Sequence, residues 1–192
     1  MAIQSPKNAR VAPSEMVWNT ISDITADYNL AYLLRTYIDR RYWMSELQKS
    51  FGVTNIDNLT DFNYARCFTY FISEPDLPLV AGDGGIRNYV TNHGILDRVE
   101  VLISTLGPYL TYKFVRYEYK DGEVVFGIGS PAEGWKRRID DALLDFCTRN
   151  DLFVVSDADL QEKIEGIALE LHGPNPSVFN LLFEDGIDDF PF

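Results

Sequence analysis

The chain has 192 residues, 17 basic and 29 acidic, for a net charge of −12, and 46% of its residues are hydrophobic. That length and apolar content suit one domain with its own core, without disulfide or metal staples. The charge argues against nucleic acid as a partner, and no run approaches the roughly 18 apolar residues of a membrane helix.

Residues 1–13 contain two prolines and few large apolar groups, and read as a flexible arm or a strap over the surface. Ser14 can cap a helix starting at Glu15. Val17, Ile21, Ile24, Tyr28, Leu33, Leu34, Tyr37 and Ile38 recur at helical spacing to about Ser50, with a break expected around Ser22–Thr25. The β-prone run 65–72 predicts a strand, and Leu77–Ala81 a second short one. Gly82-Asp83-Gly84-Gly85 reads as a loop, followed by short helices over 86–92 and 96–106.

Tyr109–Tyr119 and Glu123–Ile128 flank Asp121-Gly122, a dipeptide favoured in type I′ turns, and predict a hairpin. Large side chains on both faces of its first strand predict a central, doubly covered position. Ser130-Pro131-Ala132-Glu133 predicts the start of a helix over 131–149 that buries Trp135, Ile139, Leu143 and Phe146. Leu152–Val155 reads as a short strand. Ser156 then opens a helix carrying Leu160, Ile164, Ile167 and Leu171 on one face, ended by Gly173-Pro174. Ser177–Phe183 is a last apolar segment, strand or helical turn.

This order predicts an α+β fold: a small, mostly antiparallel sheet with a central hairpin at 109–128, helices packed against it and a helical N-terminal region. The domain spans 14–183, with residues 184–192 as an acidic tail. Cys67 and Cys147 sit in apolar runs and read as buried, reduced thiols, which with the absence of a signal-like apolar segment points to a soluble cytoplasmic protein.

No catalytic, cofactor or metal signature is present. The glycines at 82–85 match neither GxGxxG nor a P-loop, and Asp83 would repel an anion. His93 and His172 each precede a glycine and suit helix C-termini. Asp157 and Asp159 suit a first helical turn, and the spacings of Glu162, Glu165, Asp185, Asp188 and Asp189 fit no EF-hand. The cluster Arg35, Tyr37, Arg40, Arg41, Tyr42 and Trp43, with Lys136, Arg137 and Arg138, is a basic–aromatic mixture expected to pair with local carboxylates such as Asp39 and Glu46.

The distribution of charge is the most informative feature. Residues 151–192 hold ten acidic side chains and one basic one, Lys163, and so carry nine of the twelve net negative charges. Within the tail, Glu184, Asp185, Asp188 and Asp189 alternate with Ile187, Phe190 and Phe192. Carboxylates that steer a basic macromolecule and aromatics that anchor it form a coherent partner-binding set: Glu184, Asp185, Asp188, Asp189, Phe190 and Phe192. The expectation is a binding protein for a basic protein partner, in one concrete form an inhibitor or immunity protein neutralising a toxin. The rival class is an enzyme, nucleotide-binding at Gly82–Gly85 or a carboxylate-dependent hydrolase.

Overall fold

The computed structural model describes residues 10–26, 40–52, 56–63, 65–74, 77–78, 80–128, 135 and 138–186. In chain order the elements are α1 (Ser14–Ala26), α2 (Arg40–Phe51), β1 (Ile56–Asn58), β2 (Cys67–Ser73), α3 (Gly82–His93), β3 (Ile95–Ser104), β4 (Tyr109–Lys120) and β5 (Glu123–Ile128). They continue with α4 (Ile139–Asn150), β6 (Phe153–Val154), α5 (Asp157–Gln161), β7 (Ala168–Leu169), β8 (Gly173–Pro174) and α6 (Val178–Leu182). Strands run antiparallel in the order β1-β2-β3-β4-β5, and β6 joins β4 in parallel. The fold is α+β.

The hairpin forms where the turn chemistry places it. Asp121 and Gly122 both take positive φ, 51° and 90°, as a type I′ turn demands, and Lys120 pairs with Glu123 across it. β4 is central: β3 and β5 flank it, and its first seven residues are buried.

Each sheet face meets its own helices because side chains alternate along every strand. On one face Phe68, Tyr70, Ile72, Val99, Val101, Ile103, Leu110, Tyr112 and Phe114 pack against Trp43 and Leu47 of α2 and Ile139, Leu143, Phe146 and Cys147 of α4. On the other, Cys67, Leu102 and Tyr109 pack against α1, α5 and α6 through Val17, Ile21, Leu160, Val178, Phe179 and Leu182. Leu96 on that face meets Ile86 and Val90 of α3. Both cysteines are free and buried. Among the described residues no helix is long and apolar enough to cross a membrane.

Several expectations are corrected. Residues 95–104 form a strand rather than a helix. Leu96, Val99 and Ile103 fall at helical spacing, but Val99, Val101 and Ile103 also alternate, and pairing with β2 and β4 on both sides decides for the strand. Gly82–Gly85 is the first turn of α3, not a loop before it. Described residues within 77–81 form no strand; Leu77 and Val80 instead pack beside α3. The helix expected to run from Ser156 to Leu171 stops at Gln161. The backbone leaves the helical region at Glu162 (φ −58°, ψ 132°), and 168–174 close as the β7–β8 pair. His172 therefore lies in a turn and not at a helix end.

α1 continues unbroken through Ser22–Thr25 to Ala26, and the rest of the expected first helix, 27–39, lies outside the described residues. The described part of the helix expected over 131–149 is α4, Ile139–Asn150, with Asp141 in its first turn where a carboxylate suits the dipole. Ser130–Gly134 lie outside the described residues, and Trp135 is half-buried against the core. Ser177–Phe183 resolves as helix α6, closed by a reciprocal capping box between Ser177 and Asn180. Residues 10–13 strap onto β6: Ala12 N–H donates to Val154 O at 2.8 Å and Val154 N–H to Arg10 O at 2.7 Å.

Candidate functional site

Between the two helical patches on the second sheet face lies a polar seam. Register brings Phe71, Glu100 and Lys113 into one row, and Ser73 and Arg98 into the next. Lys113 Nζ stands 2.8 Å from Glu100 Oε2, both side chains buried. The contact is an ion pair, with no hydrogen bond to Oε2. Burial depresses the Lys113 amine to about 8, against the opposing pull of Glu184. Burial likewise pushes the Cys67 thiol far up, helped by the charge of Glu184, and that of Cys147 up to about 12.

Arg98 is fully buried. Its Nε donates to Ser73 Oγ at 3.1 Å and Nη2 to Val80 O at 2.7 Å, with Asp57 Oδ2 at 3.5 Å. Nη1 is buried without a hydrogen-bond partner. The guanidinium also stacks over Phe71 at 5.2 Å, which locks it between β2 and β3.

The seam opens at one end into a cleft of about 260 Å³ lined by Leu59, Asp61, Ala65, Thr69, Glu184, Asp185 and Gly186. Local hydrogen bonding builds its walls. Asn58 Oδ1 accepts from Thr60 N–H, and Asp61 Oδ1 accepts from Asn63 N–H at 2.9 Å. These two Asx turns fold the loop after β1 onto β2, where Leu59 N–H donates to Thr69 O and Thr69 N–H to Thr60 Oγ1.

The opposite wall is the chain's C-terminal segment. Arg66 N–H donates to Phe183 O at 2.6 Å, Ser104 Oγ to Leu182 O at 2.7 Å, and Ala65 bridges Glu184. Asp185 accepts the backbone N–H groups of Glu170, Leu171 and His172 at 3.1, 3.2 and 2.9 Å, while His172 Nδ1 lies 3.1 Å from Gly186 O. Arg66 Nη2 is 4.0 Å from Asp185 Oδ2.

The residues named from sequence thus divide. Glu184 lines the cleft; among the described residues no hydrogen bond or ion pair engages its carboxylate. Asp185 is buried and spent on backbone donors. Asp188, Asp189, Phe190 and Phe192 lie outside the described residues. Asp61, Leu59 and Thr69 join the site although no local signal marked them. In and beneath the cleft stand four carboxylates, Asp61, Glu100, Glu184 and Asp185, against two cations, Arg66 and Lys113. An excess of two negative charges remains; among the described residues no ion pair engages Asp61 or Glu184, and Glu184 acts on Lys113 only at longer range.

Comparison with family models, with curated proteins and with solved structures finds no match to this chain.

Other sequence candidates have local partners. Tyr42 donates to Asn150 Oδ1 at 2.7 Å, Trp43 is buried, and Glu46 pairs with Lys49 and Arg149 at 2.5 Å. Arg35 and Tyr37 lie outside the described residues. His93 stacks on Tyr89 at 4.4 Å. Asp159 is buried at the start of α5, accepting Ser156 Oγ at 2.6 Å and Ser14 Oγ at 3.3 Å, so it ties α1 to α5. Ser14 therefore gives its hydroxyl proton to Asp159. Burial alone raises Asp157. Among the described residues, no three His, Cys, Asp or Glu side chains gather as a metal ion would need.

Proposed function

We propose that this chain is a non-catalytic binding protein for a basic protein partner, and that the Asp61–Glu184 cleft takes a lysine or arginine side chain of that partner. The cleft supports this reading because it joins Asp61 and Glu184, two carboxylates that no ion pair engages among the described residues, to an apolar wall at Leu59 and Ala65. A long basic side chain has the matching form, an aliphatic stem with a charged head.

The field of the molecule supports the same reading. Glu162, Glu165 and Glu170 are exposed on the C-terminal third, with Lys163 as their nearest basic residue in sequence. Such a one-sided field accelerates encounter with a cation and repels polyanions. Two buried free thiols suit a cytoplasmic setting. The finer form of the proposal is an inhibitor of the immunity-protein kind, in which the cleft and its carboxylates cover the basic active surface of a toxic enzyme.

Co-purification of the tagged chain from its native host, followed by association kinetics at several salt concentrations, tests the proposal. A basic partner whose on-rate falls steeply with salt is expected. An acidic partner, or an on-rate indifferent to salt, contradicts it.

A further inference from the structure

At the far side of the sheet from the cleft, β5 ends the ladder, and among the described residues nothing pairs with its outer edge. Five of its six residues are exposed, including Val125 at 45%, Phe126 at 51% and Ile128 at 46%. Glu123 is the one charge in Glu-Val-Val-Phe-Gly-Ile. An apolar edge of this kind, with neither proline nor an inward-pointing charge, is a ready template for another strand.

We infer that this edge pairs with the β5 edge of a second copy of the chain, antiparallel and centred on Phe126. The register follows from the hairpin. A two-residue turn closes on the hydrogen-bonded pair Lys120–Glu123, so antiparallel alternation turns the free N–H and C=O groups of Val124, Phe126 and Ile128 outward. A two-fold axis at Phe126 then sets Phe126 across from its own copy and Val124 across from Ile128, aromatic and β-branched pairs of the stabilising kind. It sets Val125 across from Gly127, where open space surrounds the absent Cβ, so the valine meets no clash.

The self-complementary register selects a second copy, and the local charge permits it. The hairpin 109–128 carries three basic and three acidic residues in a chain of net charge −12, so two acidic molecules repel least when they meet here. The register also separates the two Glu123 side chains by roughly 20 Å, beyond the screening length at physiological salt. The paired β5 strands join two sheets into one and leave each Asp61–Glu184 cleft at an outer end. The inference does not rest on the function proposed for that cleft.

Sedimentation equilibrium of the full chain between about 1 and 100 μM, the range expected for a small specific interface, tests it. A dimer is expected for the wild type, and half that mass for Phe126→Lys, which sets two ammonium groups face to face at the axis. Should Phe126→Lys fail to fold, cross-linking decides. The native thiols are buried and protonated, so an introduced cysteine reports alone. On mild oxidation Phe126→Cys should form a disulfide dimer, because the paired Cα atoms stand at about 5.5 Å, and Glu123→Cys should not. A wild-type monomer throughout the range, a folded Phe126→Lys variant that remains dimeric, or equal cross-linking by the two cysteine variants overturns the inference.

Discussion

Asp185 Oδ1 accepts the backbone N–H of His172 at 2.9 Å, and the same oxygen takes Leu171 N–H at 3.2 Å. This carboxylate therefore shapes the molecule instead of facing solvent. It fixes the 170–172 turn against the C-terminal segment and so holds the neighbouring Glu184 at the cleft.

Asp185→Asn removes the negative charge and replaces one of its two accepting oxygens with an NH2 that faces a backbone N–H. A loss of about 1–3 kcal/mol is expected, since partly buried backbone donors lose a charged partner. Urea unfolding measures it. A loss below about 0.5 kcal/mol would show that the turn holds without the carboxylate.

Arg98 is buried with its bonds directed to Ser73, Val80 and Asp57, and its Nη1 unsatisfied. Arg98→Ala removes the packing and strands those partners, for a cost of about 3–5 kcal/mol. Arg98→Met keeps the stem over Phe71 and should recover at least half of that cost. Equal losses in the two variants would mean that the hydrogen bonds, not the packing, dominate.

Stability should fall at alkaline pH. Each buried thiol has a folded pKa raised above its ordinary 9.0, so its contribution is complete below pH 9 and is lost as pH rises toward the folded value. Lys113 acts in the opposite sense. Its folded value is lowered from 10.5 to about 8, so its burial penalises the fold below about pH 8 and the penalty is relieved between 8 and 10.5. From pH 9 to 10.5 two thiols outweigh one amine, for a net loss of about 1–2 kcal/mol. Cys67→Ala should flatten this decline, and Lys113→Met should steepen it. A wild type equally stable at both ends of the window contradicts the assignment.

The hairpin was readable from sequence because one dipeptide, Asp121-Gly122, carries the positive φ values that the turn needs. β3 was not readable, because Leu96, Val99 and Ile103 satisfy the helical period as well as the strand's own alternation. Only pairing with β2 and β4 separates the two. At the site, charge alone drew attention to Glu184 and Asp185, yet sequence could not reveal that Asp185 is consumed by backbone donors. Asp61 was invisible as a site residue, since it reaches Glu184 only through the Ala65–Glu184 bridge, more than a hundred residues along the chain.

Titration of the full chain with an arginine-rich peptide at physiological salt measures the central claim most directly, with two double variants that remove equal charge. Asp61→Asn with Glu184→Gln removes the two cleft carboxylates that no ion pair engages and leaves Asp185 on its backbone donors. Glu162→Gln with Glu165→Gln takes the same charge from exposed positions outside it. The account predicts an affinity loss of about tenfold or more for the cleft pair, near 1.4 kcal/mol, and a severalfold smaller loss for the control pair. Equal losses for the two pairs would show that the peptide reads only net charge, and would contradict a cleft built for a basic side chain.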